Sequence, residues 1–242
     1  MKEKVIIVNN LSKDFRIGFK RNLGALARFL SFFSYENKEN QRYLKVLDNI
    51  SFNLSKGEIL GVIGNNGSGK STLLRILAGI YGNYNGHVEV KGRIVPMIGL
   101  GQGMQERLTM RDNIHLIGSL FGLSRKSIKN KFSSIVRFSG LEKFVDTKVY
   151  QFSEGMKQRL AFSIIIHCNP DILLLDEIFA VGDRNFREKG IRELKSLVKE
   201  GTSIIFVSHD LWSIGKYCDK AILLEKGKIK AYGEPRKVLK MY

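Results

Sequence analysis

Residues 61–72 read GVIGNNGSGKST. Gly64, Gly67 and Gly69, followed by Lys70 and Ser71, fit the spacing G-x-x-x-x-G-K-[ST]. The motif comes directly after the apolar run EILGVIG and opens the helical pattern KSTLLRILAGI, which is the context it requires. Glycines let backbone N–H groups turn inward around a chain of phosphates, and the helix that follows adds its positive end. Asn65, Asn66, Ser68 and Thr72 complete this cradle. Lys70 is placed to neutralise β- and γ-phosphates and the Ser71 hydroxyl to ligate Mg²⁺. The stretch therefore predicts a nucleoside-triphosphate site, with Mg²⁺, on a strand–loop–helix unit.

Two further strand ends belong with it. DILLLDE ends four apolar residues in Asp176 and Glu177, setting two carboxylates at the edge of a sheet beside the loop. Asp176 suits the Mg²⁺ shell, and Glu177 suits the general base that orients and deprotonates an attacking water. SIIFVSHD ends another apolar strand in Ser208, His209 and Asp210, where His209 can reach the γ-phosphate. His87, His115 and His167 lie in a turn or in helical patterns and read as structural.

Around these motifs, strand-like runs (KVIIVNN, LDNISFNL, EILGVIG, HVEV, IVPMI, DILLLD, SIIFVSH, AILLEKGKIKAYG) alternate with helical ones. Helical periodicity covers KSTLLRILAGI, TMRDNIHLIGSLFG, RKSIKNKFSSIVRFSG, GMKQRLAFSIIIHC, REKGIRELKSLVKE and DLWSIGKYC. Short, nearly all-apolar strands suit a parallel sheet covered on both faces, so the class is α/β. A mostly helical stretch from about Thr109 to Gly140 interrupts the alternation as an inserted subdomain.

The 242 residues can bury a substantial core, and no stretch reaches transmembrane length. The N-terminal MKEKVIIVNN is too short in its apolar run for a secretory signal. The expectation is a soluble chain, or one held to a membrane by something else. Cys168 and Cys218 follow no metal spacing and read as buried thiols in a reducing compartment. A net charge of +17 predicts attraction to a polyanion: nucleic acid, an anionic membrane surface or an acidic ligand.

In order, GNNGSGKST, FSEGMKQRLAF, DILLLDE, AVGD and VSHD resemble the nucleotide-binding subunit of an ABC transporter over the whole chain. The resemblance implies a P-loop (RecA-like) NTPase core with an antiparallel β subdomain and an inserted helical subdomain, here about 103–160, in one domain over 1–242. It implies ATP with Mg²⁺, and two copies closing head to tail, each ATP lying between one copy's phosphate loop and the other's signature motif. Carried over by position, Ser153, Glu154 and Gly155 of FSEGM face the γ-phosphate of the partner's site, at a helix start that favours an anion. Asp183 of AVGD matches the dimer-contact loop and His209 the switch histidine. Phe15 of LSKDFR matches the aromatic that stacks on adenine, its alternative being core packing, with Tyr43 in reserve.

The departures matter too. The common signature LSGGQ is here FSEGM, and SALD is here AVGD. Counting back from LT, the ligand-sensing glutamine falls on Leu100; Gln102 is close but displaced and takes that role only by proximity. IGLGQGMQERLTMRDNI, YQFSEGMKQRLAF, DEIFAVGDRNFREKG and YCDKAILLEKGKI together resemble the ATP-binding subunits of bacterial polysaccharide exporters, which move O-antigen, capsule or teichoic-acid chains on lipid carriers. That implies a multi-spanning permease partner and a place on the cytoplasmic face of the inner membrane. Some members append a carbohydrate-binding domain; with the last residue at Tyr242 it is expected to be absent or on another protein.

The same resemblance implies that the segment about 18–42 is a family-specific insertion. Within it, Phe19, Leu23, Leu26, Leu30 and Phe33 recur at steps of four and three, with Lys20, Arg21 and Arg28 pointing elsewhere. A basic amphipathic helix here would touch headgroups or the permease; alternatively its leucines cover the domain's own sheet. Phe32 on the polar side and Gly24, costing roughly 1 kcal/mol in a helix interior, make the pattern imperfect. Rival readings are an importer subunit, against which only the family-like motifs speak, and a DNA-associated ATPase, which would carry a long coiled coil in place of the short insert. A translation-factor ATPase would need two cassettes. The resemblance thus implies an exporter ATPase with no nucleic-acid partner.

Overall fold

The computed structural model describes residues 2–17, 42–98, 103–176 and 184–242. The expected helix within 19–33, Gln102, Glu177 and Asp183 lie outside the described residues.

Two sheets are present among these. In the first, β1 (Lys4–Ile17) runs antiparallel to β2 (Arg42–Ser55) and to β4 (Asn85–Val90), in the order β2-β1-β4. KVIIVNN alone suggested a strand ending at Asn10, but β1 continues to Ile17 through bulged register. Asn10 and Asn49 take left-handed conformations (φ 51° and 54°), which Asn tolerates. Their N–H groups, lost to the ladder, donate to Ser51 Oγ at 2.8 Å and Ser12 Oγ at 2.9 Å. The bulge carries Phe15 into the strand, opposite Leu44.

The second sheet has the order β5-β6-β7-β3-β8-β9: β5 (Ile94–Met97), β6 (Ile172–Asp176), β7 (Ser203–Val207), β3 (Ile59–Ile63), β8 (Lys220–Glu225) and β9 (Lys228–Gly233). The first five are parallel and β9 is antiparallel to β8. Lys226 and Gly227 join the last two with φ of 46° and 78°, the left-handed pair that suits a tight hairpin.

Burial alternates with period two. Leu173, Leu175, Ile204 and Phe206 pack with one apolar cluster; Ile172, Leu174, Ile205 and Val207 pack with another. The second cluster is closed by β1, β2 and the helix α1 (Lys70–Leu77). The first is closed by helices between β5 and β6: α2 (Met110–Leu120), α3 (Arg125–Ser139) and α4 (Glu154–Ile166). α5 (Arg184–Lys199), α6 (Leu211–Tyr217) and α7 (Pro235–Leu239) complete the molecule. Burial of both faces is what the apolar strands require. Among the described residues no helix is long and apolar enough to cross a membrane.

Candidate functional site

The glycine-rich loop leaves β3 and turns into α1 at the carboxyl edge of the parallel strands, where such sheets bind ligands. Gly64 passes so close to β8 that a Cβ on it would lie 2.1 Å from the Leu224 carbonyl oxygen, at φ 152°. The hairpin turn after β8 supports the loop from below: Gly227 N–H donates to the Ser68 carbonyl at 3.1 Å, and Asp48 N–H donates to the Gly227 carbonyl at 2.8 Å. Gly227 cannot be replaced cheaply, since its Cβ would lie 2.5 Å from the Val46 carbonyl oxygen.

Lys70 is 7% exposed and folds back over the loop, its Nζ donating to the carbonyls of Gly64 at 2.7 Å and Asn65 at 3.1 Å. Ser71 Oγ donates to Asp176 Oδ2 at 3.3 Å, bringing loop and strand end together as the two motifs predict. Asn66, Gly67, Gly69, Lys70, Ser71 and Thr72 line one wall of a cleft of about 310 Å³. Asp176, His209, Leu44 and Val46 line the rest. Gly64, Asn65 and Ser68 hold the loop's shape without lining the cleft; the Asn65 carbonyl accepts from Ser68 N–H at 3.1 Å, and the Ser68 side chain is buried.

His209 stands on a pinned turn. Ser208 Oγ accepts from Asp210 N–H at 3.0 Å, and Asp210 caps α6 by accepting from Trp212 N–H at 3.1 Å and Ser213 Oγ at 2.5 Å. Of the three histidines read as structural, His87 is exposed on β4 rather than in a turn, while the other two make ring contacts. His115 stacks on Phe132, and His167 packs edge-on against Phe138 with Nδ1 2.7 Å from the Ser163 carbonyl.

The donor set at Ser71 and Asp176 fits Mg²⁺. Both ligands are hard oxygens, and 3.3 Å between them is close to the roughly 3 Å separating neighbouring ligands of an octahedral ion with bonds of about 2.1 Å. One carboxylate and one hydroxyl leave room for water and phosphate oxygens, which Mg²⁺ prefers to keep.

Phe15 is half-buried beside the cleft rather than in its lining. Its ring meets Tyr81 edge-on at 5.5 Å, and Lys13 Nζ sits 4.8 Å from the ring centroid. Leu44, its strand partner, and Val46 form the apolar wall. Tyr43, on the alternate side of β2 from Leu44, is 61% exposed. Leu44 and Val46 are not marked by any motif; their period-two spacing in YLKVL was the available signal.

Ser153, Glu154 and Gly155 do not line this cleft. They begin α4, where Ser153 Oγ accepts from Met156 N–H at 3.3 Å as the helix cap. Ser153 and Glu154 are exposed, and a Cβ on Gly155 would meet nothing closer than 4.0 Å. Glu154 is not an isolated negative charge at this helix end. Lys157 Nζ bridges it at 3.0 Å and Glu106 at 2.5 Å. Glu106 and then Glu154 hold the Lys157 ammonium above its ordinary range. Both thiols are inert by position: burial pushes Cys168 up to about 11 and Cys218 up to about 12.

The ABC transporter family profile matches residues 47–180. The O-antigen export system ATP-binding protein RfbB of Klebsiella pneumoniae is 35% identical over 243 residues, covering 99% of this chain and 98% of that one. The teichoic acids export ATP-binding protein TagH of Lactococcus lactis is 43% identical over 206 residues; the match takes in 85% of this chain and 44% of that longer protein. Among solved structures, a dimeric ATP-binding cassette in a post-hydrolysis state with ADP and Pi superposes with a TM-score of 0.77 at 21% identity, covering 96% of this chain and 99% of that one. The likeness to that structure is one of fold.

Proposed function

The chain belongs to the ABC transporter family, and from that membership we propose that it is the ATP-hydrolysing subunit of a bacterial exporter of lipid-linked polysaccharide. O-antigen is the favoured cargo, on the strength of a relative named for O-antigen export that matches over nearly its whole length. The observation that carries the ATPase reading is the meeting of Ser71 and Asp176 across a cleft that Lys70 and His209 also line.

In this reading Lys70 exchanges its bonds to the loop carbonyls for β- and γ-phosphate oxygens, and the loop N–H groups hold the phosphate chain. Ser71 and Asp176 would hold Mg²⁺, which would supply positive charge against that developing on the phosphates. Glu177 takes a proton from water as its oxygen attacks the γ-phosphorus, and the bond to the ADP oxygen breaks. His209 steadies the γ-phosphate on the other side. Phe15 or the Leu44–Val46 wall receives the adenine. Ser153 and Gly155 begin a helix away from the cleft, which favours their acting on the nucleotide of a second copy, with Glu154 beside them and Asp183 at the dimer contact. Closure around two ATP molecules would draw coupled permease subunits from one state to another, since ATP favours only the closed pair. Gln102 is proposed as the sensor of that coupling, and residues about 19–33 as the contact with the inner-membrane surface, on its cytoplasmic face.

Co-purification from native membranes tests this reading. A tagged full chain is expected to bring down a multi-spanning subunit together with lipid-linked glycan. Recovery with a periplasmic binding-protein system would turn the reading to import. Recovery in the soluble fraction with nucleic acid attached would overturn transport altogether.

A further inference from the structure

The far end of α4, opposite Ser153, is held in an unusual way. Arg93 precedes β5, and its main chain is fastened into the large sheet. Its N–H donates to Asp171 Oδ2 at 2.7 Å, and its carbonyl accepts from Asp171 and Ile172 N–H groups, both at 3.1 Å. The guanidinium leaves the sheet and enters the helical region. Nη1 donates to the Phe121 carbonyl at the end of α2, at 3.1 Å; Nη2 donates to the carbonyls of Cys168 and Asn169, just past the end of α4. A second cation grips the same exit: Lys131 of α3 donates to the His167 carbonyl and to Asn169 Oδ1, each at 2.6 Å.

The last turn of a helix leaves carbonyls without intrahelical partners and carries the negative end of the helix dipole. Two such ends, those of α2 and α4, converge on one planar guanidinium whose fork can serve several carbonyls at once. The connector from α4 to β6 is short. Asn169 turns with φ 50°, Pro170 follows, and the Pro170 carbonyl accepts from Thr202 Oγ1 at 2.8 Å. At a rise of 1.5 Å per residue, the 13 residues of α4 make a lever about 20 Å long, so a rotation of roughly 5° at the exit displaces Ser153 by about 2 Å. That is enough to make or break a hydrogen bond to a phosphate oxygen.

We propose that Arg93 is a positioning residue for hydrolysis: through the exit of α4 it sets where Ser153 and Gly155 stand against the nucleotide of the second copy. The inference rests on the reading that these residues complete the partner's site. It predicts a split between binding and turnover, because neither Arg93 nor α4 lines the cleft that the phosphate loop walls.

The test is a double-mutant cycle on the full chain with Arg93→Lys, Ser153→Ala and the pair, measuring ATP turnover, KM and ADP affinity. Arg93→Lys is expected to keep ADP affinity within about twofold while turnover falls about tenfold, and to add less than about twofold to the loss caused by Ser153→Ala. Turnover near that of the unchanged protein in Arg93→Lys, while Ser153→Ala is impaired, overturns the role of Arg93 and leaves the two-copy reading standing. A fully additive cycle, or ADP affinity falling as far as turnover, also overturns it by making Arg93 a general support of the fold. An unimpaired Ser153→Ala removes the two-copy reading and this inference with it. If Arg93→Lys does not accumulate folded, Lys131→Gln loosens the same exit and takes its place under the same criteria.

Discussion

His167 follows α4, and its imidazole is held neutral chiefly by burial. Lys131 and Lys189 push in the same direction, against the Ser163 carbonyl and Glu193, which favour the proton. The unfolded chain takes up that proton near the ordinary value of 6.5, and the folded chain only at lower pH. The unfolded state therefore binds more protons as pH drops below that value, and stability falls from there through the folded value. Melting temperatures measured from about pH 8 to about pH 5 should decline on the acid side, and His167→Asn should flatten that part of the decline. Identical profiles would show that His167 is not its source. Gly64→Ala should lose several kcal/mol, since the new methyl must displace the Leu224 carbonyl at a backbone angle that alanine avoids; denaturant titration measures it. The phosphate-loop residues, Asp176 and His209 were legible because their chemistry is written in local spacing. Leu44 and Val46 were not, because lining a cleft depends on which face of β2 meets a loop that is distant in sequence.

Helices were the most legible elements, and their caps explain why. Thr109, Ser124, Ser153 and Asp210 each stand before a helix and accept from a backbone N–H two or three residues on. Thr109 and Asp112 form a reciprocal capping box, so Thr109→Ala should cost about 1 kcal/mol of stability, measured by denaturant unfolding. A loss below a few tenths would mean that the 145–149 segment, which also bonds this turn, carries it alone. Strand ends were less legible. KVIIVNN reads as a strand ending at Asn10, yet β1 runs on to Ile17 because serine hydroxyls on both strands take over the N–H groups that the bulge frees. α4, read as helical in GMKQRLAFSIIIHC, shows no single apolar stripe in its second half, since Leu160 through Ile166 are all buried.

On the scale of the whole molecule, the two ends of the chemistry lie apart in one chain. Lys70, Ser71, Asp176 and His209 share a cleft; Ser153, Glu154 and Gly155 begin a helix outside it. No reading of sequence spacing could decide whether they meet, because that distance depends on how the helices between β5 and β6 lie against the sheet. In the proposed reading a second copy would resolve the separation, with ATP as the bridge between a phosphate loop and a foreign helix end. The charge of +17 makes two such chains repel each other, and screening by salt should therefore favour their association. The most direct test is the mass in solution of the full-length Glu177→Gln chain, in which the proposed general base is removed and nucleotide binding is expected to survive while hydrolysis stops. With Mg²⁺ and ATP it should double to that of a dimer, remain single with ADP, and fail to double when Ser153→Ala is added. A chain that binds ATP yet stays monomeric, or that pairs equally well without Ser153, would contradict the account.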